Sequence, residues 1–221
     1  MPASSETPFP TGTITGYPRI GAHRELKKLL ESLWKNAISR DEFERGAADL
    51  RAATRRHLAE LGLGTTDSSI PCDSSYYDHM ADATLMLGAI PHRFESRRGD
   101  DGALDLDAYF AIARGDSENP PLEMTKWFDT NYHYLVPEIG PTTPIAYSSN
   151  RFVDPFVEAK NDGFVTRPTI VGPVTFLALA KASENALDGF DPLSRLDDVV
   201  EVYAELLGRL AAAGAQWVQR S

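Results

Sequence analysis

The chain has 221 residues, 42 % apolar and 24 % charged, a globular composition that excludes wholesale disorder. Asp and Glu number 32 against 22 Lys and Arg, so the formal charge is −10, which argues against general nucleic-acid binding. One cysteine, Cys72, rules out an intrachain disulfide and any thiolate-rich structural zinc site, and no apolar run reaches the roughly 18–20 residues of a membrane span.

Residues 1–12 have neither the basic nor the apolar stretch of a secretory signal. They read as a flexible leader ahead of a single cytoplasmic domain over 13–221. Thr13–Gly16 is β-branched and runs into the Pro18–Gly21 turn, which predicts a first strand. Leu26, Leu29, Leu30, Leu33 and Trp34 then recur at helical spacing. Ser39 and Glu42 form a capping box for a second helix, with Phe43, Ala47, Leu50, Thr54, Leu58 and Leu61 on one stripe and Gly62 as its stop. Together these predict an αα-hairpin.

Ser69–Asp73 is a candidate strand and Tyr76–Leu87 a helix ended by Gly88 and Pro91. Arg93–Gly102 reads as a loop, and Leu104–Ala113 as a helix closed by Gly115. Tyr132–Ile139 is the next candidate strand. Asp154–Pro155 signals an N-cap with Pro at the first helical position, and that helix ends near Gly163. Pro168–Val171 is a short buried-type strand. Asp191–Pro192 repeats the cap signal. The amphipathic helix after it carries Leu196, Val199, Val200, Tyr203, Leu206, Leu207 and Leu210 and stops at Gly214. Gln216–Gln219 begins one more strand. Strands alternating with helices predict βα units and a parallel sheet.

Three segments hold candidate chemistry. In Gly16–Lys28 a Gly-punctuated turn opens a helix, whose first turn attracts anions, and Arg19, Arg24, Lys27 and Lys28 add cations. The same residues also fit a solvated face with Lys paired to Glu25 and Glu31. Glu123–Glu138 packs Lys126, Trp127, Asp129, Asn131, Tyr132, His133 and Tyr134 together, which fits a pocket wall or a core with a buried, satisfied histidine. Asp78 and His79 are adjacent, so a helix points them apart, and capping suits Asp78 better than catalysis. The five histidines lack metal-ligand spacing, and Cys72 reads as a buried inert thiol. No paired catalytic carboxylates or nucleophile elbow are visible.

The runs TITGYPRIGAHRELKK, SYYDHMADATLMLGAIP, LEMTKWFDTNYHYLVPE, RPTIVGPVTFL and GAQWVQ, in that order from Thr13 to Gln219, resemble the N-terminal domain of cobalamin-independent methionine synthase. The resemblance implies an incomplete (β/α)8 barrel with about five of eight strands. It implies a methyltransferase that moves a methyl group from 5-methyltetrahydropteroyltriglutamate to homocysteine, with zinc held by His, Cys, Glu and Cys ligands in a C-terminal barrel. The family's tail-binding motif falls on Arg24, Glu25, Leu26 and Lys27, and its tail-binding lysine on Lys126. These are expected to hold the folate polyglutamate tail, with no catalytic or metal-binding residue in this chain.

Pro141–Lys160 departs from the family pattern. Arg220–Ser221 stands where the family continues into an Asp-Glu-Pro motif, so the chain reads as truncated and inactive alone. Two alternatives remain beside this reading. One is a non-catalytic module that binds polyanions. The other is a subunit that docks onto a separate C-terminal domain. A complete enzyme of the uroporphyrinogen decarboxylase-like group would need a full barrel.

Overall fold

The computed structural model describes residues 9–10 and 12–220, so most of the leader expected at 1–12 lies outside the described residues. In chain order the helices are α1 (Glu25–Trp34), α2 (Arg40–Glu60), α3 (His79–Met86), α4 (Leu106–Arg114), α5 (Asp154–Asn161), α6 (Pro173–Ala178) and α7 (Leu196–Ala213). The strands are β1 (Pro71–Cys72), β2 (Met124–Lys126), β3 (His133–Leu135), β4 (Glu138–Ile139), β5 (Arg167–Ile170), β6 (Lys181–Ala182) and β7 (Gln219–Arg220). The chain passes between two compact units. The first takes residues 1–76, 154–169 and 213–219; the second takes 77–153, 170–212 and 220–221.

In the first unit the helical hairpin forms as expected. α1 buries Leu26 and Leu30 and packs on α2. The Ser39 hydroxyl accepts from the Glu42 N–H at 3.2 Å, and the Glu42 carboxylate accepts from the Ser39 N–H at 2.7 Å. Phe43, Ala47 and Leu58 are buried. Leu61, expected on the same stripe, is exposed, because the helix has already ended and Leu61 is its C-cap.

β1 and β5 pair in parallel, with Pro71 opposite Arg167 and Cys72 opposite Pro168, and β7 flanks β5. The two prolines have no N–H to donate, which keeps this ladder short. The strand expected at Thr13–Gly16 does not form. Side chains hold this segment instead of a ladder. Thr13 Oγ1 donates to the Ser69 carbonyl at 2.7 Å, Arg167 Nη2 to the Ile14 carbonyl at 2.7 Å and Gln219 Nε2 to the Thr15 carbonyl at 2.8 Å.

In the second unit Asp78 caps α3, whose residues Met80 to Met86 are all buried. Asp105 caps α4, which Gly115 closes at φ +73°. Part of the expected 93–102 loop is a 3-10 turn, His92–Arg97, that packs on α4. The strand expected over Tyr132–Ile139 is two strands, because Pro137 interrupts it. β3 pairs antiparallel with β2, and β4 pairs in parallel with β6. Among the described residues the sheets are therefore three and small, and one of them is an antiparallel hairpin rather than part of a parallel sheet.

Asp191 caps a 3-10 turn, Pro192–Arg195, that leads directly into α7. Val199, Val202, Tyr203, Leu206 and Leu210 face inward there, while Val200 and Leu207, expected on the same stripe, are exposed. Among the described residues no helix is long and apolar enough to cross a membrane.

Candidate functional site: a basic helix entrance and a hairpin lysine

The first group of candidate residues sits at the start of α1, in the first unit. Arg24 is the residue before the helix and takes the left-handed conformation, φ 61° and ψ 39°. A non-glycine residue there is uncommon. Its guanidinium is exposed and has no hydrogen-bond or ion-pair partner among the described residues.

Glu25 turns back on the helix start. Its carboxylate accepts from the His23 N–H at 2.9 Å, and its own N–H and that of His23 hold its carboxyl below the usual carboxylate range. The anion seat of the first turn is thus partly filled from within. Gly21, at φ +82°, makes this possible, since a Cβ there would lie 2.1 Å from the Glu25 carboxylate. Leu26 is buried, and its N–H donates to the Ile20 carbonyl at 3.2 Å, so it anchors the helix. Lys27 is exposed and reaches Glu31 at 3.5 Å, one of the two pairings expected for a solvated face. Such a pair contributes little and yields easily to a better anion.

The second group is the β2–β3 hairpin of the second unit. Met124, Thr125 and Lys126 stand opposite Leu135, Tyr134 and His133. Lys126 is exposed, and no acidic side chain pairs with it among the described residues. The loop that follows is tied to itself. Trp127 N–H donates to the Tyr132 carbonyl at 2.7 Å, and Thr130 N–H and Oγ1 donate to the Trp127 carbonyl at 3.1 and 2.6 Å.

Trp127 packs edge-on against Phe128 and Tyr134, each at 5.5 Å between centroids. The core reading of this segment holds for Tyr134 only. Phe128 is 66 % exposed at φ +48°, Tyr132 is exposed, and His133 is exposed rather than buried. The reason is local: the hairpin loop carries Phe128 and Tyr132 beyond the short ladder, and His133 sits at the ladder's loop end opposite the exposed Lys126.

Other candidates resolve as structural. Asp78 accepts from the Ala81 N–H at 2.9 Å and the Leu135 N–H at 3.1 Å, a cap as expected. Burial pushes its carboxyl up to about 6 against the pull of those N–H donors. Cys72 is half-buried rather than buried as expected, and desolvation, with Asp73 beside it, pushes its thiol up to about 11, as suits an inert cysteine. Among the described residues no three His, Cys, Asp or Glu side chains could hold a metal ion together.

Sequence reasoning missed two features. One is Arg167, buried in β5, whose guanidinium donates to Thr13 Oγ1, the Ser68 and Ile14 carbonyls and Gln219 Oε1. The other is an open cleft in the first unit, lined by Tyr17, Arg19, Arg51, Arg55, Cys72 and Asp73 among others. Tyr17 and Arg19 belong to the Gly-punctuated turn, which was the available signal.

A family model described as "Cobalamin-independent synthase, N-terminal domain" matches residues 11–221. The chain is 50 % identical over 219 residues to the 5-methyltetrahydropteroyltriglutamate–homocysteine methyltransferase of Streptomyces coelicolor, covering 99 % of this chain and 28 % of that protein. Identity to the protein of the same description from Mycobacterium tuberculosis is 50 % over 213 residues, or 96 % of this chain and 26 % of the relative. For that of Catharanthus roseus it is 46 % over 207 residues, or 93 % and 26 %. The chain thus spans little more than a quarter of the length of the curated relatives it matches. With this similarity running from the helix entrance through the hairpin, the chain belongs to the cobalamin-independent synthase N-terminal domain family.

Proposed function

We propose that this chain serves methyl transfer from 5-methyltetrahydropteroyltriglutamate to homocysteine by holding the triglutamate tail of the methyl donor. Arg24, Lys27 and Lys126 are the cations this reading assigns to it. Glu25 and Leu26 set the helix entrance that carries the first two. A triglutamate tail offers several carboxylates on a flexible chain, and ammonium and guanidinium groups are suited to such anions.

The observation that carries this reading is Lys126: an exposed ammonium on a hairpin fixed by its own hydrogen bonds, with no acidic partner among the described residues of a chain whose formal charge is −10. An unpaired cation in such a chain is available to an incoming anion.

The reacting atoms and the zinc that binds the homocysteine thiol belong, in this reading, to the part of the relatives that this chain does not span. That part is the partner this domain serves. The fold is in the same reading a portion of a (β/α)8 barrel over 13–221. β1 pairs in parallel with β5 and β4 with β6, and α3, α5, α6 and α7 follow β1, β4, β5 and β6 in the chain.

Charge removal tests the assignment. Lys126→Ala and Arg24→Ala are each expected to weaken binding of folate triglutamate about three- to tenfold by isothermal calorimetry, the scale of one charge-assisted contact near solvent. Unchanged affinity in both variants would overturn the reading.

A further inference from the structure

We infer that His133 is the second cationic contact beside Lys126, and that it takes up a proton from solvent when a carboxylate of the tail settles on the hairpin. This deepens the tail-binding reading and rests on it.

The argument begins with register. Lys126 and His133 are directly opposed across the β2–β3 ladder. Directly opposed residues project to the same face with Cβ atoms roughly 4.5–5.5 Å apart. Both residues are exposed. The two oxygens of one carboxylate can meet one donor from each.

The imidazole is also oriented. Its Nδ1 lies 3.0 Å from the backbone carbonyl oxygen of Asn131. A carbonyl only accepts, so Nδ1 carries the hydrogen and the neutral ring leaves Nε2 as an acceptor. An acceptor cannot bind a carboxylate. Nε2 must gain a proton first, which makes the ring an imidazolium with donors at both nitrogens. Two cations opposed across a ladder repel one another unless an anion lies between them. The second proton and the carboxylate therefore arrive together.

The surrounding charges leave these two residues to the ligand. Across the ladder the charged group is Lys126 itself, and Asp129 lies in the hairpin loop. Glu123, ahead of β2, pairs with Lys181 at 3.0 Å. α3, which packs on β3, brings Asp78, His79 and Asp82. Of these, Asp78 is committed to the Ala81 and Leu135 N–H groups, and Asp82 is paired with Arg151 at 3.3 Å. The loop bonds from Trp127, Thr130 and Tyr132 hold the hairpin in register, so the pair is set before the ligand arrives.

The test is calorimetry of folate triglutamate binding to the full chain at pH 8 and pH 6, repeated in two buffers of different ionisation enthalpy. The wild type is expected to bind about three- to tenfold tighter at pH 6, with net proton uptake. His133→Gln is expected to bind with one affinity at both pH values and to take up no proton, while His23→Gln keeps the gain. A His133→Gln chain that retains the pH gain overturns the inference and leaves the tail reading intact. Lys126→Ala and Arg24→Ala chains that both bind like the wild type at both pH values overturn the tail reading, and this inference falls with it.

Discussion

Asp78 shows how a burial penalty and a cap share one side chain. Its two N–H partners secure α3 and β3, yet burial lifts its carboxyl from the ordinary 3.8 to about 6. The folded chain thus holds this proton to higher pH than the unfolded chain does. Between about pH 4 and pH 6 the folded state binds more protons, so stability from this group is present at low pH and lost as pH rises through that window. The offset is worth about 3 kcal/mol. Denaturant titrations of wild type and Asp78→Asn at pH 4 and pH 7 are expected to differ by a margin that moves about 3 kcal/mol toward the variant at pH 7. A constant margin would contradict this account of Asp78. Arg167 is the complementary case, a buried cation satisfied largely by neutral oxygens. Arg167→Ala strips those oxygens of their donor and is expected to cost about 2–4 kcal/mol in chemical denaturation.

Among the elements, α2 and α5 illustrate what was legible and what was not. The capping box at Ser39, the Asp-Pro start of α5 and the glycine stops at Gly62, Gly115 and Gly214 are local signals, and the helices end where those signals stand. Arg51 and Arg55 were invisible as structural residues, because their partner Glu158 is over 100 positions away in sequence. Arg55 is buried and donates to Glu158 at 3.0 Å and also to Asp162. Glu158→Gln takes the anion from Arg51 and one of the two from Arg55, and is expected to lower stability by about 3 kcal/mol in urea titrations. β2 and β6 went unseen for a similar reason: each is two or three residues long, and only pairing with β3 or β4 makes it a strand. The proposed tail residues Arg24 and Lys126 stand out in the sequence through the motifs that carry the family resemblance. The exposure of Phe128 and His133 was not, since an aromatic-rich run reads equally as core until the hairpin is placed.

At the scale of the whole molecule, charge is the constraint. A chain of formal charge −10 repels a polyanion at long range, so a tail can bind only where cations are locally unpaired. Arg24 and Lys126 meet that condition among the described residues, and the Glu25 carboxylate keeps the helix dipole from being the principal attractant. This favours a ligand with several spaced carboxylates over one with a single carboxylate. The most direct measurement is therefore the affinity of the chain for folate triglutamate against folate monoglutamate, by calorimetry in one buffer. The account predicts at least about tenfold tighter binding of the triglutamate, with that preference falling in Lys126→Ala. Equal affinity for the two ligands would contradict it.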